Sequence, residues 1–270
     1  MHTRPAQVRG RFYPGNPEEI ERQALACLGA SQIEQPALGL VLPHAGWTYS
    51  GAIAGAAIAG TRIPERVIVL CPNHTGHGRR AAVWSRGEWE CGVDRVLVDE
   101  PLSDALLARC DFLEADDAAH FGEHAIEVLL PLLQARQPRL RVAPICLGPL
   151  SLEACSELGR GMAAVISALP IDQRPLIVAS TDMSHFLSAT QAKRADAPAL
   201  DAVSHLDPVA LYQRVVSQDI SMCGFLPTCA TLFAVRALGA TRAELVRYGH
   251  SGMVTGDDSR VVAYASFRLS

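Results

Sequence analysis

Charge is scarce in this 270-residue chain. Only 19 % of residues are Asp, Glu, Lys or Arg, and Lys193 is the only lysine. The net charge is −4 at pH 7 and no block of five like charges occurs, so a basic face for nucleic acid is not expected. Long apolar runs are missing as well. The longest stretch of small apolar residues, Gly51–Gly60, falls far short of the roughly 20 residues that span a bilayer. Cysteine pairs are missing too: Cys27, Cys71, Cys91, Cys110, Cys146, Cys155, Cys223 and Cys229 are scattered without a CxxC spacing. Such cysteines read as buried thiols in a reducing compartment. The opening Met1-His2-Thr3-Arg4-Pro5 carries no signal-peptide pattern, so a cytoplasmic protein is expected. There is no Walker A loop, no GxGxxG, no GxSxG elbow and no His-Glu-x-x-His.

What the chain does have is core. Apolar residues make up 49 % of it, enough for one large α/β domain, and neither a linker nor an internal repeat interrupts it. Three short apolar runs each end within a few residues of a histidine: Leu38–Leu42 before Pro43-His44-Ala45-Gly46, Val67–Leu70 before Pro72-Asn73-His74-Thr75-Gly76-His77, and Leu176–Ala179 before Thr181-Asp182-Met183-Ser184-His185. Continuous apolar runs of this length read as buried parallel strands, whose C-terminal ends share one sheet edge, the edge where α/β sheets bind ligands. A metal or acid/base site at that edge is the leading expectation.

Around these runs, strand and helix patterns alternate, predicting a central mostly parallel or mixed β-sheet flanked by helices. Asn16 caps a helix to about Leu28, and residues 50–60 form a helix whose Gly51 and Gly55 allow close approach to the sheet. Ala81–Trp84, Gly87–Cys91 and Val96–Val98 read as short strands, and Ser103 caps a helix to Cys110. A helix begins at Phe121 and runs to about Gln137, followed by the strand Arg141–Leu147 and a helix over Ser151–Leu169. Helices near Asp196–His205, Pro208–Ser217 and Pro227–Leu238, then strands Glu244–Tyr248 and Arg260–Phe267, complete the pattern.

His44 and His74 are the best-placed donors, since site residues concentrate on loops held by a rigid sheet and neutral imidazole is a common ligand for borderline metals. His77 either supports His74 from behind or is merely exposed. Asp182 and His185 are three apart; in a helical turn both would project on one side, where Asp182 could orient a metal-bound imidazole and His185 could act as general acid/base. The bland alternative makes Asp182 part of a helix cap. Glu123 and Glu127 share a helix face by their i,i+4 spacing, and acids suit a helix start in any case, so Glu123 and His124 remain open between structure and function. Cys223, alone in Met222-Cys223-Gly224, reads as a buried thiol or as the thiolate that completes a His₂Cys set.

With those residues laid out, the chain closely resembles the Memo family, and within it the bacterial branch called AmmeMemoRadiSam system protein B. The matching segments are Arg9-Gly10-Arg11-Phe12-Tyr13, Pro43–Gly51, Pro72–Gly76, Glu123–Glu127, Ser180–His185, Met222-Cys223-Gly224 and Tyr248–Tyr264, nearly end to end, as one Memo-like domain over residues 1–270. The resemblance implies a fold related to the LigB-type class III extradiol dioxygenases, which hold non-haem Fe(II) and cleave catechol rings. It implies a metal set at His44, His74 and Cys223, with Asp182 and His185 as further pocket residues. The aromatic that many animal members carry as Trp falls on Phe12. Cysteine stands where the dioxygenases use a carboxylate, and this softer ligand favours iron or copper redox chemistry. The function so implied is an O₂-linked or redox oxidoreductase with a mononuclear iron site, copper or zinc being the other metals. The alternative is a non-catalytic module that docks a peptide or partner protein, with AMMECR-type and radical-SAM proteins as the implied partners. A hydrolytic zinc site is a third option, because His₂Cys with an open position is also a catalytic zinc set.

Overall fold

The apolar runs that end in histidine loops are strands, and they do share one sheet edge. The computed structural model describes residues 2–30 and 33–270. From the N-terminus the chain forms β1 (Thr3–Arg4), α1 (Pro17–Leu28), β2 (Gly39–Leu42), α2 (Trp47–Ala59) and β3 (Arg66–Pro72). Three short strands follow, β4 (Ala81–Val83), β5 (Glu88–Trp89) and β6 (Val96–Val98), then α3 (Glu100–Arg109), β7 (Glu114–Ala115), α4 (Leu130–Arg136) and β8 (Arg141–Leu147). After α5 (Leu152–Ser167) come β9 (Leu176–Ser180), β10 (His185–Leu187), α6 (Ala189–Ser204), α7 (Pro208–Ser217) and α8 (Phe225–Ala237). The chain closes with β11 (Ala243–His250), α9 (Gly252–Thr255) and β12 (Val261–Leu269).

One mixed sheet holds all twelve strands found among the described residues. Its middle, β8-β3-β9-β2, is wholly parallel, and every residue of β3 pairs in register with β8, from Arg66↔Arg141 to Pro72↔Leu147. β9 lies between β3 and β2, so the three histidine-bearing strands are consecutive neighbours. Antiparallel pairing appears toward the flanks, where β12 pairs with β2 and β4 with β8. Successive side chains on a strand point to opposite faces. Ile68, Leu70, Ile177 and Ala179 therefore join Leu158 and Met162 of α5 and Ala230 of α8 in one core. Leu40, Leu42, Val67, Val69 and Val178 join Ile20 of α1, Ile58 of α2 and Leu133 of α4 in the other.

Several local expectations need correction. The small face of α2 lies on α1 and not on the sheet: a methyl group at Gly55 would overlap the Cys27 carbonyl, and one at Gly51 would crowd the Cys27 sulfur. The helix expected from Ser103 starts earlier, because Asp99 is its cap, accepting from the Leu102 N–H, with proline in the first turn. The helix expected from Phe121 exists only as α4. Residues 121–129 form turns and extended backbone, with Gly122 at φ +78° and the Glu123 carboxylate accepting the N–H groups of His124 and Ala125. The helix expected near Asp196 begins seven residues sooner, where Ser188 and Gln191 form a capping box. Asp182 and His185 lie on no helical turn; residues 181–184 are irregular and His185 opens β10.

Candidate metal centre

Leu42 ends β2, and Pro43-His44-Ala45-Gly46 carries the chain into α2. His44 is buried at 1 % exposure. Its backbone N–H donates to Asp182 Oδ1 at 2.8 Å, and its Nδ1 meets Ser180 Oγ at 2.7 Å. The Ser180 hydroxyl spends its own hydrogen on the Ala125 carbonyl at 2.7 Å. Ser180 Oγ therefore accepts from Nδ1–H, and His44 Nε2 keeps its lone pair. Burial, reinforced by the neighbouring His74, drops the His44 pKa to about 3, so the ring is neutral.

His74 reaches the same edge from β3 and is oriented by a stronger partner. Its Nδ1 lies 2.9 Å from Glu123 Oε1, and its backbone N–H donates to Glu123 Oε2 at 2.6 Å. Burial alone would raise the Glu123 pKa, but the hydrogen bonds and charge of His74 outweigh it and hold the carboxyl at about 2. The same contact raises His74 against the burial that would lower it. An ionised carboxylate only accepts, so Nδ1 carries the hydrogen here as well, and in the neutral ring Nε2 is bare. A carboxylate behind an imidazole fixes its tautomer and raises its basicity, the arrangement found behind metal-bound histidines.

Cys223 arrives from the loop before α8. Its delivery depends on Gly224, where a methyl group would overlap the Ser180 carbonyl; the Gly224 N–H donates to Thr181 Oγ1 at 2.9 Å. The sulfur lies 3.3 Å from His44 Nε2 and accepts from the Asp182 N–H at 3.2 Å. Burial and the nearby Asp182 push the thiol pKa well up. One donor atom from each of His44, His74 and Cys223 lies within 4.8 Å of the others. An ion with bonds of about 2.0–2.3 Å could join such a set after small side-chain movements. The donor chemistry, two bare imidazole nitrogens and one sulfur, fits a borderline transition metal.

His124 completes the cluster, a placement that sequence left open. Its ring stacks on His74 at 4.9 Å and 24°, meets His44 edge-on at 5.4 Å and lies 4.7 Å from the Phe12 ring. Burial, then the proximity of His44, lowers its pKa to about 4. His74, Glu123 and His124 form a second grouping of metal-type donors, though the Glu123 oxygens are already engaged by four N–H groups. No spacing pattern announces His124, because the loop that carries it is irregular.

Asp182 is 5 % exposed and serves the main chain of His44; burial raises its pKa. His185 Nδ1–H donates to the Ser221 carbonyl at 2.9 Å, which leaves Nε2 with no hydrogen bond among the described residues. No hydrogen bond links Asp182 to His185 among the described residues, so the pair three apart is not a dyad. His77 is exposed, outside the cluster, and its backbone carbonyl accepts from the Asn73 amide at 2.7 Å. Phe186, next to His185, takes the left-handed φ of +63° at an irregularity in the pairing of β10 with β12.

Comparison with known proteins covers almost the whole chain. The family model described as Memo-like protein matches residues 4–268. The chain is similar to the MEMO1 family protein MK0963 of Methanopyrus kandleri, 36 % identical across 98 % of both chains. It is also similar to MEMO1 family proteins of Methanosarcina mazei, at 37 % identity, and Aquifex aeolicus, at 35 %, each again over 98 % of both chains. Among solved structures, the uncharacterized protein JW3007 of Escherichia coli K12 aligns over 84 % of this chain and 98 % of its own, with a TM-score of 0.49 and 15 % identity.

Proposed function

The chain belongs to the Memo family, and on that premise we propose that it is a metalloprotein in which His44, His74 and Cys223 hold a mononuclear iron(II) ion for an O₂-linked or redox reaction on a small substrate. The observation that carries this reading is the fixed pair of tautomers. Each ring has its Nδ1 committed to a separate acceptor, Ser180 or Glu123, which leaves Nε2 as the donor nitrogen each can offer beside the Cys223 sulfur. Two neutral imidazoles and a cysteine also suit copper, and zinc in a hydrolytic site. When bound, iron would supply redox chemistry and Lewis acidity, and three protein ligands leave positions for other molecules. The chain's own residues then have separable tasks. Asp182 holds the His44 peptide, Glu123 and Ser180 hold the two rings, and His185 offers Nε2 as a proton acceptor or donor beside the cluster. The resemblance to LigB-type class III extradiol dioxygenases supports iron. Cysteine in place of their carboxylate argues for a reaction other than ring cleavage.

A second reading is favoured by two exposed aromatics next to site residues, Phe121 at 46 % and Phe186 at 62 %. Here the pocket docks a peptide or partner protein without catalysis, the AMMECR-type and radical-SAM proteins being the candidates. No helix among the described residues is long and apolar enough to cross a membrane; the free cysteines support a reducing, cytoplasmic setting for either reading.

Anaerobic purification followed by metal analysis separates these readings. Bound iron in the wild type that is lost in His44→Ala/His74→Ala is the expected result. Equal metal in both proteins overturns the site. Zinc without iron-dependent oxygen uptake points to hydrolysis, and a metal-free wild type that carries a defined partner supports the docking module.

A further inference from the structure

A heavily bonded buried ion pair lies outside the donor cluster. Arg4, in β1, and Glu127 are both fully buried, and Arg4 NH1 donates to Glu127 Oε2 at 2.7 Å. The guanidinium lies 4.0 Å over the Trp89 ring. Its other nitrogens do not point at charge. Nε donates to the His120 carbonyl at 3.0 Å and NH2 to the Glu123 carbonyl at 2.5 Å. One rigid fork thus grips the 120–127 loop at three places. Glu127 in turn ties that loop to the N-terminal segment, accepting the backbone N–H groups of Gln7 and Val8 at 2.9–3.0 Å and the Tyr13 hydroxyl at 2.9 Å. The same segment brings Phe12 against His124.

The grip on the Glu123 carbonyl matters most. Glu123 belongs to an irregular stretch that no helix or strand ladder holds, yet its carboxylate must stay within hydrogen-bond reach of His74 Nδ1. We propose that Arg4, locked by Glu127, is a positioning residue for His74: it fixes the main chain of Glu123 so that the carboxylate keeps His74 in the Nδ1–H tautomer, with Nε2 free for a metal ion. The proposal deepens the metal-site reading and rests on it for its last step. Its earlier steps, from Arg4 to Glu123 to the His74 tautomer, concern the metal-free protein alone. A purely structural Arg4 would staple the N-terminus without affecting the imidazole.

The test uses Arg4→Lys, which keeps a cation beside Glu127 but cannot reproduce the fork to both carbonyls. Arg66→Lys is the control. Arg66 makes a bidentate contact with Asp99 from the first residue of β3, at the sheet edge opposite the cluster. Nitrogen-resolved NMR of the imidazoles in the full-length, metal-free protein reads the His74 tautomer, and cobalt(II) titration followed by the thiolate-to-cobalt absorption reads the site. In Arg4→Lys, His74 should shift toward the Nε2–H form and cobalt should bind about ten- to a hundredfold more weakly, as when a group orienting a metal ligand is lost. Arg66→Lys should match the wild type in both readouts whatever it does to stability. An unchanged His74 signal in Arg4→Lys overturns the proposal. A wild type that takes up no cobalt overturns the metal reading and leaves the tautomer measurement standing. Should Arg4→Lys fail to fold, Glu127→Gln, which loosens the same fork, carries the same expectations and the same overturning result.

Discussion

Two walls of the site each contain two buried carboxyl groups, and they treat them in opposite ways. On the wall formed by residues 120–127, Glu123 meets a histidine ring and Glu127 an arginine. On the wall formed by residues 180–196, Asp182 and Asp196 are just as buried, at 5 % and 0 % exposure, but meet peptide N–H groups and, for Asp196, the Tyr248 hydroxyl at 2.7 Å. Burial wins on the second wall and raises both aspartates; on the first, His74 overrides it and Glu123 falls to about 2. Burial alone does not set the charge of a carboxyl group; the partner does. The two proposed imidazole ligands inherit this asymmetry, since His74 is backed by a fixed negative charge and His44 by a neutral hydroxyl.

The largest effect should come from breaking the first wall. Glu127→Ala leaves Arg4 buried without its carboxylate and strands three further donors, so urea unfolding should show a loss of about 3–5 kcal/mol. Next, Glu123→Gln removes the charge behind His74 and should weaken cobalt or iron binding about ten- to a hundredfold, or about 1.4–2.7 kcal/mol. Asp182→Asn should weaken it less, because Asp182 supports the His44 peptide and not its ring. An Asp182→Asn loss equal to that of Glu123→Gln, in the same titration, would erase the asymmetry.

The smallest effects are pH slopes of opposite sign. The folded Glu123 pKa lies below its ordinary 4.5, so its stabilising contribution in the metal-free protein is complete above pH 4.5 and fades as pH falls through about 2. The gap in stability between wild type and Glu123→Gln should close over that range. Asp196 is raised above its ordinary 3.8 by burial, so its contribution is greatest below 3.8 and is lost as pH rises through the folded value. Asp196→Asn should therefore gain on the wild type as pH rises above 3.8, measured by denaturation at each pH. A slope of the Glu123 sign at Asp196 would show that the second wall carries its charge as the first does.

The parts of this site that sequence revealed are those encoded over short distances. A strand followed by a proline and a histidine is visible within a few residues, and His44 and His74 lie where that pattern put them. The partnerships that orient them are not local. Glu123 lies 49 residues from His74, Arg4 123 residues from Glu127, and Cys223 179 residues from His44. Family resemblance is what separates Cys223 from the other cysteines, since one cysteine before a glycine has no periodic signature. Periodicity misled where side chains replaced the helical ladder. The i,i+4 spacing of Glu123 and Glu127 suggests a shared helix face, but each carboxylate bonds a different partner and the backbone between them is not helical. Glycine misled in the same way: a pair four apart signals close approach without saying which neighbour approaches.

The strand order β3-β9-β2 also sets a schedule. The two strands that are made first cannot become neighbours, because the place between them belongs to β9, synthesised about a hundred residues later. Cys223 emerges later still. At a translation speed of about 5–20 residues per second, His44 and His74 wait on the order of ten to thirty seconds for the sulfur that shares their corner. A nascent chain in that interval holds two histidines without their third partner and an open seam in the middle of its sheet. A metal ion held by all three residues would therefore be acquired only after the ribosome has finished most of its work, as a late event of biogenesis.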